Sequence, residues 1–159
     1  MTDNCSFAIL DPDLVPPKVG AAYPKPFSAP CRSRSKRALG DALGLKQFGV
    51  NWVELPPGCW SAQRHWHHEE DEFVMIVKGE VTLVTDEGEQ VMYPGQVTGF
   101  PSKNSNSHHL INLSSEPACY LEVGTRSSLE KVEYPDIDMK MVRKAGEKSR
   151  FFNRKGDPL

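Results

Sequence analysis

His65-Trp66-His67-His68-Glu69-Glu70-Asp71-Glu72 runs directly into Phe73-Val74-Met75-Ile76-Val77-Lys78-Gly79, and this stretch decides the fold. His65 and His67 stand two apart, so on a strand they project from one face. A short acidic turn leads to Glu72, and the unbroken apolar run Phe73 to Val77 reads as a buried strand. Imidazoles and a carboxylate gathered at the edge of a buried sheet form a donor set suited to a divalent metal ion.

The surroundings fit a small all-β domain. At 159 residues the chain is long enough for one domain with a real core. Only 38% of it is hydrophobic, and 13 prolines and 12 glycines favour short strands joined by turns over long helices. A formal net charge of −2 argues against nucleic acid as the main partner, because phosphate backbones demand a clustered positive surface. No apolar run reaches the roughly 18–20 residues of a membrane span. Met1-Thr2-Asp3-Asn4 carries an acid where a secretion signal is positive, so the expected compartment is the cytoplasm. Cys5, Cys31, Cys59 and Cys119 form no CxxC pair and are expected to be free thiols.

Upstream of the opening stretch, Pro12, Pro16, Pro17, Pro24, Pro26 and Pro30 rule out a helix. They imply an extended arm laid over the domain or toward a partner subunit. Arg32-Ser33-Arg34-Ser35-Lys36-Arg37 reads as a solvated loop rather than a phosphate contact. The glycines between Arg37 and Gly44 argue against a stable helix. Phe48, Val50 and Trp52 alternate with polar or small residues, as on a half-buried strand, and Leu55-Pro56-Pro57-Gly58 is a turn. Strand character from Trp60 to His67 puts Ser61, Gln63, His65 and His67 on one face, with Arg64 on the other.

Downstream, both faces of Phe73–Val77 are apolar, so this strand is expected to be covered on both sides. Val81–Thr85 is the next strand, Asp86-Glu87-Gly88-Glu89 closes a hairpin, and Pro94-Gly95 marks a type II turn. Short strands follow near Val97–Pro101, His108–Leu113 and Ala118–Val123. Beyond Gly124 the alternation fades; Tyr134 to Asp138 reads as extended, and the charged tail is left open between a packed arm and a mobile one.

Two motifs in this stretch resemble those of the cupin family. Gly58, His65, His67, Glu72 and Gly79 match the first, with one extra residue before His65. Gly95, Pro101, His108 and Asn112 match the second, with Lys103 where glycine is usual and a loop two residues longer before His108. The resemblance covers roughly residues 46–124. It implies a double-stranded, jelly-roll-like β-barrel, often dimeric, holding a divalent metal on three histidines and one glutamate. The expected organisation is a Pro-rich arm over 1–45, the barrel over 46–124 and an extension over 125–159. The family resemblance carries isomerase and binding-protein labels for some members, but a fold does not fix a function.

The expected metal ligands are therefore His65, His67, Glu72 and His108, for one ion of zinc, manganese, iron or nickel. Adjacent residues face opposite ways, so His109 packs elsewhere, although a one-residue slip exchanges the two. Glu70 is the lesser alternative ligand. Glu122, on one face of its strand with Tyr120, is the candidate general base. Gln63 and an aromatic wall of Trp60, Trp66 and Phe100 are softer cavity candidates. The leading function is a metal-dependent isomerase acting on a sugar or sugar phosphate. A binding module without catalysis and an iron-dependent dioxygenase are the alternatives. A small-molecule ligand and a second copy of the chain are the expected partners.

Overall fold

The structure, a computed structural model, describes residues 9–159, so Cys5 lies outside the described part. The N-terminal segment contributes β1 (Lys18–Val19), β2 (Ser35–Ala38) and one α-helical turn, α1 (Leu39–Ala42), before the long strand β3 (Phe48–Leu55). Against expectation, Pro12–Leu14 and Ala29–Cys31 form short 3-10 turns, because a proline in the first turn gives up no hydrogen bond. The short β4 (Trp66–His67) and β5 (Glu72–Lys78) carry the opening motif. There follow β6 (Val81–Thr85), β7 (Gly88–Met92), β8 (Val97–Phe100), β9 (His109–Ile111) and β10 (Ala118–Thr125). The C-terminal part adds β11 (Glu130–Tyr134), β12 (Met139–Arg143) and β13 (Arg150–Phe152). No described helix is long and apolar enough to cross a membrane.

One sheet has the order β1-β2-β3-β10-β5-β8, and a second has the order β7-β6-β9. Val53, Leu55, Val74, Ile76, Ala118 and Tyr120 on the first pack against Val81, Leu83, Met92 and Leu110 on the second. This is the expected double-stranded β-barrel, and burial of these side chains is its main driving force. Ile76 is fully buried, and its truncation to alanine would cost about 2–5 kcal/mol. Gly79 turns the chain from β5 into β6 at φ +72°, and a Cβ there would lie 2.8 Å from the Pro117 carbonyl oxygen, so only glycine fits.

Both flanking segments join this framework. β2 pairs with β3, extending the large sheet, while β11 pairs with β4 and leads the sheet β13-β12-β11-β4. Val132, Tyr134, Met139 and Met141 form a second core, against which Tyr23 and Phe27 of the N-terminal segment pack. The expected fade after Gly124 was misread: Glu130, Val132 and Tyr134 are all buried, an alternation hidden because its first member is charged. Residues 135–138 form the hairpin turn rather than an extended segment.

Three local expectations are also corrected. On β3 it is Val53 and Leu55 that reach the core, while Gly49 and Asn51 line a cavity and Phe48 is exposed on the opposite face. The residues between Trp60 and His65 are mostly bends, pinned by isolated bridges from Trp60 to Ile111 and from His65 to His108. On β5 only Val74 and Ile76 are buried, leaving Phe73, Met75 and Val77 exposed on the outer face.

Candidate metal centre

The bridge between His65 and His108 sets the geometry, with reciprocal backbone hydrogen bonds of 3.1 and 2.8 Å. It brings the two imidazoles to 4.7 Å between centroids. β4 presents His67 beside His65, and Glu72 enters at the start of β5. The Nε2 atoms of His65 and His67 lie 3.1 Å apart, and Nε2 of His108 lies 3.1 Å from Oε2 of Glu72. The same carboxylate oxygen is 3.5 Å from His67 Nε2 and 3.9 Å from His65 Nε2. An ion bound at about 2.0–2.2 Å from each donor separates neighbouring donors by about 2.8–3.6 Å, so three of these four spacings fit directly.

The donor chemistry fits as well. His65 Nδ1 sits 2.8 Å from the Gln63 carbonyl, which only accepts, so the proton belongs on Nδ1 and the Nε2 lone pair faces the other ligands. The His65 lone pair and the Glu72 carboxylate, turned toward one point, suit a cation between them. Burial, then the neighbouring His108 and His67, pushes His65 down to about 3. Burial also acts to lower His67, but the carboxylates of Glu130 and Glu72 outweigh it and lift the group to about 9. Burial works to raise Glu72, yet hydrogen bonds from His108 and His67 hold it well below the usual carboxylate range.

Phe100 stacks on His108 at 3.4 Å with rings 3° from parallel, fixing the imidazole plane. His109 faces away, bonding the Ala62 carbonyl at 3.0 Å and meeting Trp60 edge-on. Lys103, at the usual glycine position, adopts φ +64° and donates its N–H to the His67 carbonyl at 2.9 Å. Glu70 is held by Arg143 and by the Ser127 N–H at 2.9 Å, so the acidic turn is pinned rather than free in solvent.

The ligand set opens onto a cavity of about 590 Å³. Glu122 and Tyr120 both line it. Glu122 accepts from Asn51 Nδ2 at 2.9 Å and from Lys36 Nζ at 3.1 Å. Tyr120 is almost fully buried, and its hydroxyl has no hydrogen-bond partner among the described residues.

Sequence reasoning missed the basic contribution. Ser35–Ala38 is a strand, not a solvated loop, and its alternation turns Arg34 and Lys36 into the cavity. Arg37 turns outward, toward the Val15 carbonyl and Asp13. Arg34 donates to the Ser61 carbonyl at 2.6 Å and the Gly20 carbonyl at 3.1 Å, and no carboxylate pairs with it among the described residues. The signal was present as a period of two in Arg32, Arg34 and Lys36. Gln63 is withdrawn from the cavity, donating to the Phe27 carbonyl at 2.7 Å and so tying down the N-terminal segment. Of the expected aromatic wall only Phe100 lines the cavity, joined by Tyr23 and Tyr134, while Trp66 lies against His68. Arg64 faces away, paired with Asp86 and Asp136.

The cupin domain family matches residues 51–124. The chain is 43% identical to a sugar phosphate isomerase from a cupin superfamily, from Silicibacter pomeroyi, over 96% of each chain, with a TM-score of 0.91. It is 29% identical to a candidate sugar phosphate isomerase from Acidithiobacillus ferrooxidans, over 80% of each chain, with a TM-score of 0.72. The polyketide cyclase RemF from Streptomyces resistomycificus shares the fold alone, at 19% identity and a TM-score of 0.60 over 74% of this chain and 78% of that one. No curated protein matches the sequence. On the strength of both motifs, the barrel and a 43% identical relative matched along nearly its whole length, this chain belongs to the cupin superfamily.

Proposed function

We propose that this cupin is a metal-dependent isomerase of a sugar phosphate. The observation that carries the reading is that Arg34 and Lys36 line the same cavity as His65, His67, Glu72 and His108. That cavity joins a seat for a Lewis acid to a cationic wall suited to a phosphate, and similarity to the Silicibacter pomeroyi protein supports the same class. When bound, the ion polarises the substrate carbonyl and stabilises the negative charge that develops on its oxygen.

The chain's own residues supply the rest. The Arg34 guanidinium and Lys36 ammonium take the phosphate and orient the sugar, fixing which carbon faces the protein base. Glu122, held by Asn51 and Lys36, removes the proton beside the carbonyl and returns it to the former carbonyl carbon, while the neighbouring hydroxyl's proton passes to the former carbonyl oxygen. Tyr120 supplies an unpaired hydroxyl to the same wall.

The test is NMR-monitored turnover of a panel of sugar phosphates by protein loaded in turn with zinc, manganese, iron or nickel. Aldose–ketose interconversion is expected, and Glu122→Gln should slow it by about 10²–10⁴-fold with metal content unchanged. Saturable binding without turnover on every member would leave a ligand-binding module instead.

The same reading includes a homodimer in the cytoplasm. Phe73, Met75, Val77 and Val97 leave a contiguous apolar outer face on β5 and β8, of the kind that a second copy covers. Cys31, Cys59 and Cys119 are free thiols, as a reducing compartment requires. Met75→Asp should convert the dimer to a monomer by light scattering; a wild-type monomer refutes the assembly.

A further inference from the structure

Glu130 is a carboxylate buried to 2% exposure on β11, beyond the stretch matched by the cupin family. Its Oε1 is saturated by backbone donors: the N–H groups of His68 at 3.1 Å, Glu69 at 3.2 Å and Lys131 at 2.8 Å. Its Oε2 has none of these, and instead faces His67 Nδ1 at 3.6 Å. Neither of those two atoms has a hydrogen-bond partner among the described residues. Glu70 stands nearby, but Arg143 and the Ser127 N–H engage it.

We infer that Glu130 is a positioning residue that holds the proton of His67 on Nδ1, keeping Nε2 free to ligate the metal. The inference rests on the reading of His65, His67, Glu72 and His108 as the metal seat. A carboxylate oxygen is an acceptor only, so the ring nitrogen turned toward it must carry the hydrogen. The opposite nitrogen, which faces Glu72 Oε2 and His65 Nε2, is then the one that offers its lone pair once a metal displaces any proton there. Because three backbone N–H groups clamp the other oxygen, the carboxylate cannot swing away to serve a different partner. Partners of this kind typically contribute 10–100-fold to metal affinity.

Glu130→Gln separates this role from a merely structural one. The amide oxygen still accepts the three backbone hydrogen bonds, while its NH₂ places donors where His67 needs an acceptor. Zinc titration calorimetry on the full chain should show affinity falling about 10–100-fold in the variant, with thermal stability of the metal-free protein retained. In zinc-loaded protein labelled with ¹⁵N-histidine, the wild type should show a slowly exchanging Nδ1–H on His67 that Glu130→Gln loses. Unchanged zinc affinity and an unchanged His67 resonance in Glu130→Gln, beside lost binding in His65→Ala, would overturn the role of Glu130 and leave the seat standing. Wild-type zinc binding that His65→Ala also leaves intact would overturn the seat and this inference together.

Discussion

The two walls of the cavity are made in different ways. The candidate metal wall comes from His65, His67, Glu72 and His108, all inside the stretch that matches the cupin family. A second wall draws Arg34 and Lys36 from the N-terminal segment, while Val132, Tyr134 and Arg143 come from the C-terminal one. The first wall is written in two family motifs, and its donors suit one kind of ligand, a cation. The second is assembled from segments outside that stretch, which reach the cavity by pairing β2 on β3 and β11 on β4, so its side chains can change without removing a candidate ligand.

That division can be broken first at the metal wall. His65→Ala or His108→Ala removes a donor from a four-ligand set, and metal content by elemental analysis should fall by about 100-fold or more while circular dichroism keeps the β signature. Retention of about one ion per chain by both variants would refute the ligand assignment.

The second wall should respond in a different observable. Lys36→Met removes one charge-assisted contact, worth about 1.5–3 kcal/mol, so KM for a phosphorylated substrate should rise by about 10–100-fold. Metal content should stay at the wild-type level. Equal loss of metal and substrate binding would mean that the two walls act as one.

A third measurement sharpens the link between them. In the metal-free protein His67 is lifted to about 9, so at pH 7.5 it carries an extra proton, whereas His65, pushed down to about 3, does not. Ligation needs the His67 lone pair, so metal uptake at pH 7.5 should release about one proton. Apparent affinity should then fall about tenfold for each pH unit below 9. Calorimetry in buffers of different ionisation enthalpy counts that proton; uptake without release would contradict the charge state given to His67.

The smallest effect is expected at Lys103. Its left-handed backbone costs about 1–2 kcal/mol relative to glycine. Glycine's added freedom in the unfolded chain offsets about 0.4–1 kcal/mol of that. Lys103→Gly should therefore raise Tm by about 6 °C or less, read by calorimetry, with metal binding unaffected.

How far the chain could be read in advance depended on the range of the interactions. The candidate ligands were legible because strand alternation puts His65 and His67 on one face and the two cupin-like motifs single out Glu72 and His108. Spacing to Asn112, which is buried and bonds the Leu55 carbonyl at 2.7 Å, favoured His108 over His109, and only the bridge to His65 fixed the register. Glu122 could be placed beside Tyr120 by the same alternation. Arg34 and Lys36 were hidden because a serine-interleaved basic run looks the same whether solvated or paired along a sheet edge. Glu130 was hidden for a related reason, since a carboxylate in the buried phase of a strand reads as a break in its pattern.

By itself the sequence determined the all-β class, the barrel strands around both motifs, and the histidine and glutamate side chains that share a face. Those features follow from local geometry: the period of a strand and the residues a turn tolerates. Tertiary structure alone decided which side of β3 is the inside, which basic side chains share the cavity with the candidate ligands, and which carboxylate stands behind His67. Those depend on pairings between segments far apart in the chain, such as β2 on β3 and β11 on β4. Such pairings are selected by the total burial they achieve, and no short stretch of sequence carries that sum.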